Sequence, residues 1–433
     1  MENAEAPAAA GAGTQTLSGC PVFHEFDPVS PDLINNPHPW YARARDEHPV
    51  FFMPEQGLWA VTRHEDALTV LRDTESYSNL RAHELRVEMP DQIRAEVGAD
   101  YRFPLISQLD VLDPPQHTRI RKLIQPTWTP KAIEARAPEV REIAEGLIDD
   151  FVDSGRTDFM KNFAAPLPPM VMAKLLGAPL EDAQRFMGWL PSFFMLSGNA
   201  RLPEKESIEA WHNVIAFDNY TRELIEDHRA NPKDDLTTSL IDARSDDGSP
   251  ALNDEEIMGN MIGFIGAGSH TSSILLVHTL HLLLKHPDQW ERVKADRSLA
   301  KKAVEEALRH SGAVVSTKRT TTKEVTLNGV TIPEGQHIWV NLVSANRDDE
   351  VFENPDVFDI DRTDVGQHLG FGKWTHFCIG SPLARLEGRI GLECVIDRLP
   401  DLRIAADQGP LEYSLNMVIP EVHTMEVEWT PGG

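Results

Sequence analysis

Through much of the chain, apolar residues recur every three or four positions, the spacing of helices with one buried face. In Val140–Ile148, Val140, Ile143, Ala144, Leu147 and Ile148 fall on one side and Arg141, Glu142 and Glu145 on the other. The same pattern predicts helices from about Pro138 to His228, with no internal repeat. Strand signals are fewer. Pro49–Phe52 and Leu58–Thr62 flank a Gln56-Gly57 turn and predict a β-hairpin. Val325–Ile332 encloses Asn328-Gly329, a type I′ turn signal, and Ile338–Leu342 reads as another strand. The stretch from Tyr77 to Asp110 reads as loop. The fold class is therefore mainly α with a small β-rich region.

The longest apolar run, Met261–Leu284, is long enough to raise the question of a membrane span. Ser269, His270, Thr271, Ser272, Ser273, His278 and His281 interrupt it, which predicts a buried central helix instead. Asn253 can cap that helix, with Glu256 at the reciprocal position, and Pro287 ends it after His286. At about 1.5 Å per residue it spans roughly 50 Å.

Composition narrows the function. The 433 residues carry a net charge of −27, which disfavours nucleic acid and anionic membranes as general partners. Mean hydropathy of −0.33 is that of a water-soluble globular chain. Cys20, Cys378 and Cys394 give neither a disulfide framework nor a zinc spacing, which fits a reducing cytoplasm. An Ala- and Gly-rich start predicts a disordered tail over residues 1–20, followed by a single domain over 21–433.

The chemistry gathers around His368–Gly380, a glycine-punctuated loop holding Cys378. Ser381 and Pro382 read as cap and first residue of a following helix, whose dipole and free N–H groups favour a thiolate. Such a cysteine can be a redox thiol, a nucleophile or a metal ligand. His117 and Arg121 share a helix face behind Pro114-Pro115, a pair of donors suited to a carboxylate. Glu306 and Arg309 pair at i, i+3, and Gly266-Ala267-Gly268 thins the middle of the central helix beside Thr271.

Phe371-Gly372-x-x-x-His376-x-Cys378-x-Gly380 resembles the haem-binding loop of the cytochrome P450 family, in which the cysteine sulfur is the proximal iron ligand. The resemblance covers roughly residues 21–433. It implies the family's triangular-prism fold and haem b (iron protoporphyrin IX), bound by Phe371, His376, Cys378 and Gly380 of the loop with His117, Arg121 and Arg319. Glu306, Arg309 and Arg362 match the family's buried network. Ala267, Gly268, His270 and Thr271 match its oxygen-binding groove, with His270 where the family has an acid; Trp374 stands where the loop normally has glycine. The same resemblance puts Phe264, Val314, Val315 and Met417 over the distal face.

The implied activity is monooxygenation: hydroxylation or oxidative demethylation of a small apolar substrate by a monomeric cytoplasmic enzyme. The implied electron source is a [2Fe–2S] ferredoxin with an NAD(P)H-dependent reductase. A thiolate ligand favours O–O cleavage. Two alternatives stand beside it, a peroxide-driven enzyme using His270 as acid–base and a non-catalytic haem sensor.

Overall fold

The computed structural model describes residues 20–432 apart from 81, 83–86, 99, 102, 104–107, 199–201, 246, 247 and 400. The predicted tail lies outside the described residues except for Cys20.

The central helix runs Asp254–Lys285, and its capping box closes as expected: Asn253 Oδ1 accepts from Glu256 N–H, and Glu256 Oε2 from Asn253 N–H. It is buried on nearly all sides, which explains why its pattern is apolar all round rather than striped. The polar residues inside it satisfy themselves along the helix. Ser269, Ser273 and Thr279 each donate a hydroxyl to the carbonyl four residues back, at 2.7–2.9 Å. His278 bridges outward to the Gly312 carbonyl at 2.6 Å and the Tyr413 hydroxyl at 3.1 Å. Among the described residues no helix is long and apolar enough to cross a membrane.

The helices Leu167–Leu175, Glu204–Ala230, Ala300–His310 and Ser381–Arg398 pack around this axis. Close approach of the last depends on Gly391, where a Cβ would lie 2.7 Å from Leu276 Cδ2.

The β-rich part lies to one side. Its main sheet has the order β1 (Val50–Met53), β2 (Leu58–Val61), β8 (His337–Asn341), β5 (Ser316–Thr321), β3 (Tyr77–Ser78), with only β2 and β8 parallel. The predicted first hairpin is β1–β2, and the Asn-Gly hairpin is β6 (Val325–Leu327) with β7 (Val330–Ile332). Asn328 and Gly329 sit at φ 46° and 73°, as a type I′ turn requires. A third sheet joins β4 (Arg156–Asp158), β10 (Glu426–Glu428) and β9 (Arg403–Ile404).

Two expectations are corrected. The stretch read as loop from Tyr77 to Asp110 begins in β3 and contains a helix, Asp91–Val97. Ser381 is not the cap of its helix but its first residue, with Gly380 before it and no side-chain cap.

Candidate active site

The cysteine loop is closed by its own backbone: Cys378 N–H donates to the Phe371 carbonyl at 2.9 Å and Gly372 N–H to Leu369 at 2.8 Å. Trp374 occupies the left-handed region, at φ 54°, which explains why glycine is easier there. Its indole is exposed, with the Arg72 guanidinium 6.0 Å from the ring centroid. Cys378 is exposed and opens onto a groove of about 470 Å³. Burial pushes its thiol pKa up, outweighing the Gly380 and Ser381 backbone groups and the charges of Arg121 and Arg385. The thiolate preference expected from the helix end is thus overridden. A bound cation reverses that balance, since a metal-coordinated thiol is deprotonated.

In the middle of the central helix the burial is interrupted, from the partly exposed Gly263 onward. Ala267 is exposed and Gly268 and Thr271 partly so, while Ser269 and His270 are buried. The Thr271 hydroxyl donates to the Ala267 carbonyl at 2.6 Å. Gly268 has a second constraint, because a Cβ there would come within 3.1 Å of Met172 Sδ in the neighbouring helix. Phe264 packs at a tilt against Trp128, 5.1 Å between centroids and 56° between planes, and Trp128 lines the groove beside Cys378. That contact links the central helix to the cysteine loop.

Four side chains converge from three elements. His117 and Arg121 come from the helix Gln116–Ile124, Arg319 from β5, and His376 from the turn Trp374–His376. The His117 and His376 rings lie 4.3 Å apart. Burial, helped by neighbouring arginines, pushes His117 down to about 4 and His376 to about 3, so both are neutral at pH 7. Burial also lowers Arg319 to about 10. Both ring nitrogens of His117 and Nε2 of His376 are buried without a partner. Unmatched buried donors beside two guanidinium groups fit a ligand carrying carboxylates, as haem does with its two propionates. Asn79, missed in the sequence, orients His376: its amide lies 3.2 Å from His376 Nδ1 and donates to the Asp110 carbonyl at 2.7 Å.

Glu306, Arg309 and Arg362 meet in a buried cluster. Arg309 grips Glu306 with two bonds at 2.7 and 2.8 Å, and Arg362 Nε reaches the same carboxylate at 3.2 Å. Arg309 also donates to the Asn346, Pro355 and Val357 carbonyls, pinning the chain that leads to the cysteine loop.

His270 points away from the accessible stripe and pairs with Glu421, Nδ1 to Oε1 at 2.6 Å. Glu421 carries no signal in the local sequence. Glu387, on the helix Ser381–Arg398, is fully buried beside Ser272 of the central helix. Burial raises it to about 8, with Ser272 opposing weakly.

The four residues expected over the distal face divide. Phe264 packs in the largest core cluster, Val314 against that of the main sheet, and Val315 and Met417 against a third around Phe51 and Trp339. Val315 and Met417 are brought near each other by the Val315 N–H bond to the Val418 carbonyl at 2.8 Å. The groove at Cys378 is rimmed by Lys301, Arg385 and Arg389 with Glu134 and Glu305.

The family model "Cytochrome P450" matches residues 105–412. "Cytochrome P450 monooxygenase PikC" of Streptomyces venezuelae is 34% identical over 96% of this chain and 97% of its own. "Vitamin D(3) 25-hydroxylase" of Pseudonocardia autotrophica is 32% identical over 94% and 97%. Among solved structures, an intact type IV self-sufficient cytochrome P450 monooxygenase is similar, with TM-score 0.87 and 31% identity over 96% of this chain and 54% of that one. The chain belongs to the cytochrome P450 family and is a P450 monooxygenase of bacterial type.

Proposed function

We propose that this enzyme inserts one oxygen atom from dioxygen into a C–H bond of a small apolar molecule, by hydroxylation or oxidative demethylation. The observation that carries the reading is a cysteine loop that reaches the central helix through Trp128 and Phe264, on a chain where His117 and His376 keep partnerless ring nitrogens beside Arg121 and Arg319. In the overall balance, one atom of dioxygen enters the substrate and the other leaves as water, consuming two electrons and two protons.

Haem b, when bound, supplies the dioxygen activation, with Cys378 as its protein ligand. The residues of the chain do the rest. His117, Arg121, Arg319 and His376 hold the propionates, and Phe371 and Gly380 shape the loop around the sulfur. Ala267 leaves room at the helix and Thr271 Oγ1 presents a hydroxyl there, with its proton held on the Ala267 carbonyl until a better acceptor comes within reach. His270 serves the proton path from behind. Phe264, Val315 and Met417 turn apolar surface toward the substrate, and a relative named for vitamin D(3) supports a lipophilic one.

Electrons enter from an acidic [2Fe–2S] ferredoxin and its NAD(P)H-dependent reductase in the cytoplasm. The Cys378 groove carries Arg121 and Lys301 beside the paired Arg385–Glu305 and Arg389–Glu134, a local cationic surface on a chain of net charge −27 that supports that choice. The test is reconstitution with ferredoxin, reductase, NAD(P)H and isotopically labelled dioxygen over a panel of terpenoids, steroids and fatty acids. Label in a hydroxylated product supports the reading. Turnover with peroxide alone points to the peroxide-driven enzyme, and haem binding without turnover from either source to a sensor.

A further inference from the structure

The carboxylate of Glu305, on the helix Ala300–His310, holds two groups that pack beside one aromatic ring. Arg385, from the helix Ser381–Arg398, lays both arms of its guanidinium on it, Nε on Oε1 and Nη2 on Oε2 at 3.0 Å. His368 Nε2 meets the same Oε2 at 3.2 Å. Gly370 N–H donates to His368 Nδ1 at 3.0 Å, so the imidazole proton sits on Nε2 and is given to Glu305. Burial opposes ionisation of Glu305, but the hydrogen bonds from His368 and Arg385 and the Arg385 charge carry it down to about 2. The clamp therefore stays closed at any working pH. The ring belongs to Phe371. The Arg385 guanidinium lies over it, 4.5 Å from the centroid, and the His368 ring is 6.1 Å away. Phe371 is itself fastened to the cysteine, since its carbonyl accepts the Cys378 N–H at 2.9 Å. Arg385 also lines the groove onto which Cys378 opens, and of the clamped pair it is Arg385 whose charge acts on that cysteine.

We propose that Arg385 is a positioning residue for electron uptake: Glu305 and the Phe371 ring fix its positive charge beside the cysteine loop, and that charge raises the reduction potential of the iron held by Cys378. The proposal rests on the monooxygenase reading, with Cys378 as the haem ligand. In the step concerned the ferredoxin gives up one electron and ferric iron becomes ferrous. No bond to Arg385 forms or breaks, and no proton moves there. The added electron makes the site more negative by one unit, so a fixed cation nearby favours the reduced state over the oxidised one. Arginine suits the place because its planar group keeps its charge, forks onto a carboxylate and lies flat on an aromatic face at the same time. A lysine keeps the charge but neither the fork nor the flat contact.

The test uses the full haem-loaded chain with Arg385→Gln, Arg385→Lys and Lys301→Gln. The ferric–ferrous midpoint is read by redox titration, without ferredoxin, substrate or turnover. Arg385→Gln is expected to lower the reduced-to-oxidised ratio at a fixed potential about three- to tenfold, roughly 30–60 mV for one electron. Arg385→Lys should lose less than half as much. Lys301→Gln removes an equal charge from the lining of the same groove and should leave the midpoint close to the native one. Electron paramagnetic resonance of the ferric proteins should show the thiolate-ligated low-spin signal in all of them. An unchanged midpoint in Arg385→Gln overturns the proposal, as does an equal fall in Lys301→Gln. A fall that comes with loss of the thiolate signal overturns it too, because the ligand and not the charge has then changed. A native protein without that signal overturns both this proposal and the ligand reading. If the native enzyme oxidises nothing while the midpoint still falls in Arg385→Gln, the monooxygenase reading fails and the role of Arg385 stands.

Discussion

Replacing Glu306 by alanine strips the counter-charge from Arg309, at 0% side-chain exposure, and leaves Arg362, at 7%, only the pairing with Asp364 at 3.4 Å. Breaking a buried pair by removing one partner costs about 3–5 kcal/mol, because the remaining charge stays uncompensated. The Asp359 N–H, which donates to Glu306 at 3.0 Å, loses its acceptor as well, adding about 1–3 kcal/mol. Together these approach the whole stability of a typical protein, about 5–15 kcal/mol. Glu306→Ala should therefore accumulate poorly, and what folds should unfold at markedly lower denaturant. Arg309→Lys should lose roughly half as much, since an ammonium keeps the charge but cannot reach Glu306, Asn346, Pro355 and Val357 together. Denaturant titration of the haem-loaded proteins is the assay. A Glu306→Ala midpoint equal to the native one would refute the claim that this cluster holds the chain ahead of the cysteine loop.

Three further outcomes follow from the geometry. Burial pushes the Glu387 carboxyl up from 4.5 to about 8, so the native state binds the extra proton and stability falls as pH rises from 4.5 to 8, by roughly 5 kcal/mol. Glu387→Gln should flatten that slope in thermal melts taken across this range and be the more stable protein above pH 8. Gly391→Ala places a methyl group against Leu276 and should lower stability by about 1–3 kcal/mol in denaturant titrations. His117→Ala removes one of the unmatched donors and should speed haem loss to apomyoglobin several-fold without altering the ligand spectrum.

Features set by local chemistry were readable from residues alone. Asn253 and Glu256 announce the start of the central helix, Asn328-Gly329 announces its turn, and the polar interruptions of Met261–Leu284 separate a buried helix from a membrane span. The cysteine loop was legible because its spacing is short and fixed. What stayed hidden depends on partners distant in sequence. Glu421 meets His270 only after the C-terminal segment folds over the central helix, and Asn79 reaches His376 from a strand edge. The pKa of Cys378 shows the same limit: the helix end that follows it is visible in the sequence, while the burial that overrides it is tertiary. The Ser381 cap failed for a local reason, since the helix begins one residue earlier than the Ser-Pro signal implies.

The central claim is that Cys378 is the protein ligand of a haem iron. Cys378→Ser, compared with Cys20→Ser and Cys394→Ser, tests it most directly, read from the Soret band of the reduced carbon monoxide complex. The account predicts the red-shifted thiolate band in the native protein and in the other two variants, and its loss in Cys378→Ser alone. Retention of that band in Cys378→Ser, with loss in either of the others, would contradict it.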